Sequence, residues 1–143
     1  MAEGDGQEVA WIAEFADTIR RWHNRIIEES GGAHGEHTAR LLACCARPFQ
    51  TAFGEHIYPK AIEQAAALFH ALVTSHPFAD GNKRTATVAS TMFLAARGIL
   101  PDGPSDLQLR LIGELAVYTA SEKTDVAIVA YWLRRILDSQ TDD

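Results

Sequence analysis

The run His76-Pro77-Phe78-Ala79-Asp80-Gly81-Asn82-Lys83-Arg84-Thr85 crowds an imidazole, a carboxylate, an amide and two cations around a single glycine. A turn between two helices needs the proline and the glycine but none of the rest. The first turn of a helix offers unpaired backbone N–H groups and the positive end of the helix dipole, which together attract an anion. Gly81 lets a ligand come close to the backbone. Lys83 and Arg84 add charge where phosphates would sit. Asp80 suits Mg2+, which takes carboxylates together with phosphate oxygens. Asn82 can brace the loop or donate to a phosphate. An imidazole titrates near neutrality, so His76 suits removal of a proton from an attacking hydroxyl. Phe78 reads as the apolar peg that pins the loop to the core. Positioning, charge neutralisation and a base are what phosphoryl or nucleotidyl transfer requires.

The run is not a Walker A loop. Asparagine separates Gly81 from Lys83, arginine follows the lysine, and the earlier glycine of that pattern is missing. Taken singly, each residue also has a plain structural reading. Asp80 alone would cap the next helix, and Lys83 and Arg84 alone would form a solvated first turn. Cations sit poorly at a helix N-terminus unless an anion joins them, which favours the functional reading. His34 and His37 have H-x-x-H spacing but lack the cysteines or carboxylates of a metal set. The cluster Arg20-Arg21-Trp22-His23-Asn24-Arg25 reads as a solvated face, or as a surface for an acidic partner.

The elements that must position this run are helical. Trp11, Phe15, Ile19, Trp22 and Ile26 recur every three or four residues, one face of a long helix expected to be core, and Gly31-Gly32 stops it. A second helix is expected from His37 to Ala46, with Leu41 and Leu42 inward and Cys44 and Cys45 in or beside the core. Residues 48–59, bracketed by Pro48 and Pro59, read as a surface loop or short hairpin. A helix from near Lys60 places Ile62, Ala65, Ala66, Phe69 and Val73 on one face and stops at Pro77. The uncharged stretch TATVASTMFLAA, residues 85–96, belongs at the centre of a bundle, so residues 82–97 should form a central helix surrounded by the other five. Ser105 to Gln108 reads as a capping box opening a fifth helix. Thr124 or Asp125 caps a sixth, with Val126, Val129, Leu133, Ile136 and Leu137 inward.

A length of 143 residues makes one domain, 1–143, with 1–8 and 139–143 expected to fray. A net charge of −6 argues against a nucleic-acid coat, and no basic recognition helix supports a DNA-binding domain. No apolar run reaches membrane-spanning length. The adjacent Cys44 and Cys45 make no disulfide framework, and a reduced, cytoplasmic setting is the expectation.

HPFADGNKR resembles the signature of the Fic/Doc superfamily, HxFx(D/N)(A/G)NKR in its death-on-curing (Doc) branch, at every defined position. The flanks agree as well: Gly31-Gly32, LLACCARPF, YPKAIEQAAALFHALVTSH before the motif and TATVASTMFLAARGI after it. The resemblance implies an all-α, compact six-helix bundle with a central buried helix and a short flap, whose motif loop binds ATP and Mg2+. It makes His76 the catalytic base and Asp80 the metal-side carboxylate. Gly81, Asn82, Lys83 and Arg84 become the phosphate-binding set, with Lys83 and Arg84 also catalytic. Residues 48–59 fall where the family keeps a flap that clamps its target by strand pairing. Adenylylating members of the superfamily carry glycine at the position of Lys83 and a second arginine at that of Thr87. This chain has neither. The lysine goes with a reversed nucleotide and phosphoryl transfer to protein, in the Doc branch to a threonine of elongation factor Tu. The chain has no (S/T)xxxE(G/N) inhibitory motif, so restraint would come from a separate antitoxin. The implied activity is a protein kinase acting as the toxin of a toxin–antitoxin pair. Protein adenylylation, small-molecule phosphotransfer and a non-catalytic binding module are the alternatives.

Overall fold

The computed structural model describes residues 2–138, with side chains from Ala10 onward. Six helices follow one another: α1 (Ala2–Ser30), α2 (Thr38–Ala46), α3 (Ala61–Ser75), α4 (Asn82–Ala96), α5 (Asp106–Ser121) and α6 (Val126–Asp138). A 3-10 turn (Arg47–Phe49) and a two-stranded antiparallel hairpin, β1 (Thr51–Ala52) with β2 (Glu55–His56), join α2 to α3. The architecture is therefore all-α with one small flap. Among the described residues no helix is long and apolar enough to cross a membrane. The end expected to fray at 139–143 lies outside the described residues. At the other end the backbone is helical from Ala2.

The core is built on α3, which buries Gln64 to Phe69 and Ala71 to Val73. Ala65, Ala66, Ala67 and Ala71 keep its surface low, so α4 comes close through its own Ala86 and Ala89. The centre is thus shared: α3 touches α2, α4, α5 and α6, whereas α4 lies against α1, α3 and α5. The uncharged run marks the buried length of α4, yet Met92 and the ends of the helix reach solvent.

Two inward faces differ from the sequence expectation. On α1 the buried line is Ala16, Ile19, His23 and Ile27. Trp11 is 43% exposed, and it lines an open apolar groove with Phe15, Trp22, Phe49 and Phe93 rather than lying in the core. The aromatics satisfy each other there, Trp11 meeting Phe49 edge-on at 4.9 Å. On α2, Leu41, Cys44 and Cys45 share the inward face, while Leu42 points about 100° away and is exposed. Burial pushes both thiols up, Cys45 to about 12. The later caps match their sequence signals. Ser105 and Gln108 cap α5 reciprocally, and Asp125 Oδ1 accepts from the Ile128 N–H at 2.9 Å.

Candidate active site

Helix α3 ends at Ser75, and His76 turns the chain in the left-handed region, with φ 50° and ψ 64°. That conformation costs a non-glycine residue roughly 1–2 kcal/mol. Strain of this kind clusters at functional positions. The imidazole is exposed and has no hydrogen-bond partner among the described residues. The chain then runs antiparallel to residues 35–37. The His37 N–H donates to the Pro77 carbonyl at 2.7 Å and the Ala79 N–H to the Gly35 carbonyl at 3.0 Å, so Glu36 stands opposite Phe78. In such a pair the middle residue's own N–H and C=O face the other way. Asn82 takes both: its Oδ1 accepts from the Phe78 N–H at 3.0 Å and its Nδ2 donates to the Phe78 carbonyl at 2.8 Å. The Phe78 ring, 3% exposed, stacks on the ring of His23 with centroids 3.8 Å apart. The sequence expectation of an apolar peg holds, and Asn82 acts as the brace.

Residues 31–37 form the outer wall. Asp80 Oδ2 accepts from the Ala33 N–H at 2.9 Å. Gly32 has φ +116°, and a Cβ there would come within 3.3 Å of Asp80 Cβ and 3.1 Å of Ile27 Cδ1, so only glycine fits without displacement. Arg20 ties this wall to α1. Its guanidinium grips the Glu36 carboxylate with two nitrogens, one at 2.7 Å, and also bonds Asp17. The Arg20 hydrogen bond holds the Glu36 carboxyl below its usual range, and Thr38 Oγ1 adds a second donor. The cluster read as a solvated face therefore does structural work at Arg20 and His23. His37 is the N-cap of α2, its Nδ1 accepting from the Arg40 N–H.

The residue that caps α4 is Gly81, not Asp80; its φ of +80° and ψ of 15° are left-handed. A left-handed residue followed by the helical Asn82 curls successive N–H groups toward one side, an anion-binding nest. Among the described residues the amides of 81–84 have no acceptor; the helical ladder begins with the Thr85 N–H donating to Gly81 O at 2.9 Å. Lys83 and Arg84 are exposed and make no hydrogen bond or ion pair among the described residues. Thr87, one turn on, is buried and donates back to the Lys83 carbonyl at 3.0 Å. Thus His76, Asp80, Gly81, Lys83 and Arg84 are brought to one loop and helix start, with Asn82 folded beneath them. An open, electropositive N-terminus beside a free imidazole and a carboxylate can hold an anionic ligand, bind a cation next to it and accept a proton.

The hairpin stands nearby in sequence, with residues 51–57 all exposed. Phe53 at its tip has φ 54° and is fully exposed, followed by the left-handed Gly54. Two successive positive φ values fit the type I′ turn that closes two-residue hairpins. Sequence reasoning missed His23. Its signal was its place in the series Ile19, His23, Ile27, which is the inward period of α1.

The model of the Fic/DOC family matches residues 14–94. The chain is also similar to the Toxin Doc of Mycolicibacterium smegmatis, 44% identical over 59 residues. That match covers 41% of this chain and 45% of the relative, so it spans less than half of either. No solved structure matches. The family match takes in more than half of the chain, from α1 through the motif loop and most of α4, and the chain therefore belongs to the Fic/DOC family.

Proposed function

We propose that this chain is an ATP-dependent protein phosphotransferase and the toxin of a toxin–antitoxin pair, acting on a threonine of elongation factor Tu. The observation that carries the reading is the start of α4. Four backbone N–H groups and two exposed cations lie there with no hydrogen-bond or ion-pair partner among the described residues, in a place where cations are unfavourable alone. The phosphates of a nucleotide complete that arrangement. Asp80 keeps one carboxylate oxygen on Ala33 and offers the other, which suits Mg2+, an ion commonly held by one carboxylate plus phosphate oxygens and water. The ion would neutralise phosphate charge. His76, raised on its left-handed turn, takes the proton of the attacking hydroxyl. Lys83 would occupy space beside the nest, so that the γ-phosphorus of a bound ATP would be the one facing the nucleophile. Position 87 is a buried threonine bonded back to the Lys83 carbonyl, not the second arginine of the adenylylating members, which favours phosphoryl over adenylyl transfer. The exposed edge of the hairpin suits strand addition by an extended target segment. The relative's name, Toxin Doc, supports the toxin role and hence an antitoxin.

Expression of the chain alone should arrest growth, the His76→Ala form should not, and co-expression of the adjacent open reading frame should relieve the arrest. Equal growth with the unmutated and His76→Ala proteins, both soluble, would count against the toxin role.

A further inference from the structure

His23 takes no part in the chemistry above, yet it is 2% exposed beneath the motif loop. Its Nε2 lies 2.7 Å from the Asp80 carbonyl oxygen. A carbonyl only accepts, so the proton of the ring sits on Nε2. The imidazole is fixed from its face as well, by the near-parallel Phe78 ring, with 7° between the planes. A Cβ on Gly81 would lie 3.5 Å from His23 Cδ2, which places the Asp80–Gly81 peptide directly against the ring.

The two groups of a trans peptide point in opposite directions. Holding the Asp80 carbonyl down on α1 therefore turns the Gly81 N–H away from α1. Among the described residues the Asp80 carbonyl and the Gly81 N–H make no other hydrogen bond. Glycine itself populates either sign of φ, so the residue does not fix the orientation of its own peptide, and a flipped peptide would carry the Gly81 N–H out of the nest. With the His23 bond in place, Gly81 is left-handed and its N–H has no acceptor among the described residues.

We infer that His23 is a positioning residue: it locks the Asp80–Gly81 peptide so that the Gly81 N–H joins those of residues 82–84 as an anion donor. The inference rests on the proposed anion site at the start of α4 and adds what orients its first donor. His23 touches no reacting atom and acts through the backbone alone.

The test uses the full chain and inorganic pyrophosphate as probe. His23→Phe keeps an aromatic ring against Phe78 but removes the donor, whereas His23→Gln supplies an N–H without the ring. In the unmutated protein the amide resonances of 81–84 should all shift on titration. In His23→Phe the Gly81 shift should disappear while those of 82–84 persist, and affinity should fall roughly tenfold or more, the worth of one hydrogen bond to a charged group. His23→Gln should recover most of both. Undiminished Gly81 shift and affinity in folded His23→Phe would overturn the inference. If His23→Phe does not fold, the ring-nitrogen resonances of the unmutated protein decide: a proton on Nε2 supports the lock, and a proton on Nδ1 alone overturns it. Absence of any shift at 81–84 in the unmutated protein would overturn the anion site itself, and this inference with it.

Discussion

Asn82→Ala should destabilise the protein by about 3 kcal/mol, although it deletes only a small amide. Asn82 is 9% exposed, and its two hydrogen bonds to Phe78 are 2.8 and 3.0 Å long. Pairing with residues 35–37 uses the N–H of Ala79 and the carbonyl of Pro77, leaving the Phe78 N–H and C=O aimed at Asn82 alone. Alanine strands both groups inside the fold. A buried polar group left without a partner costs roughly 1–3 kcal/mol, so two of them give a total near 3. For a domain of this size that loss lowers the melting temperature by roughly 10 °C. Urea unfolding gives the free-energy difference from the shift in midpoint, provided the slope is unchanged. A loss below about 1 kcal/mol, less than one stranded group costs, would refute the bracing role given to this amide.

The turn at His76 yields a prediction of opposite sign for stability. His76→Gly removes the left-handed strain, so the variant should unfold no more easily than its parent while losing on the order of 100-fold or more in rate; a marked loss of stability would contradict the strain. Glu36 links stability to acid. Its folded carboxyl is depressed by Arg20, so its contribution is complete above the unfolded value of 4.5 and is lost as pH falls through the depressed value. Urea midpoints measured from pH 6 down to 3 should fall less steeply for Glu36→Gln than for the parent, and parallel curves would contradict the linkage. Cys44 and Cys45, buried with raised thiols, should resist iodoacetamide at pH 8 in the folded protein and react once it is unfolded; rapid labelling of the native protein would refute their enclosure.

Most of the fold is legible in the chain. The stops at Gly31 and Gly98, the cap at Ser105 and the uncharged run of α4 each report a local physical requirement, and the helices begin and end beside them. The side of a helix that turns inward is less legible, because it depends on the neighbours that arrive. Trp11 and Leu42 are as apolar as true core residues, yet each meets an open groove or solvent. Composition gathers the chemistry-bearing residues into one run but not their supports. Asp80 reaches Ala33 across 47 residues, and His23 reaches Asp80 across 57. Those separations hide the wall and the floor of the loop from any local reading. His23 is further masked by its position among Arg20, Arg21 and Arg25, whose charges describe the outer faces of α1 while the histidine occupies the inner one.

The central claim is transfer of the γ-phosphoryl group to protein, and the intact mass of the modified target tests it most directly. Purified elongation factor Tu incubated with this chain, ATP and Mg2+ should gain the mass of one phosphoryl group, on threonine. Label should pass from γ-labelled ATP and not from α-labelled ATP, and Lys83→Gly should sharply reduce the transfer. A target that gains an adenylyl group from the unmutated protein, with label from the α position, would contradict the account.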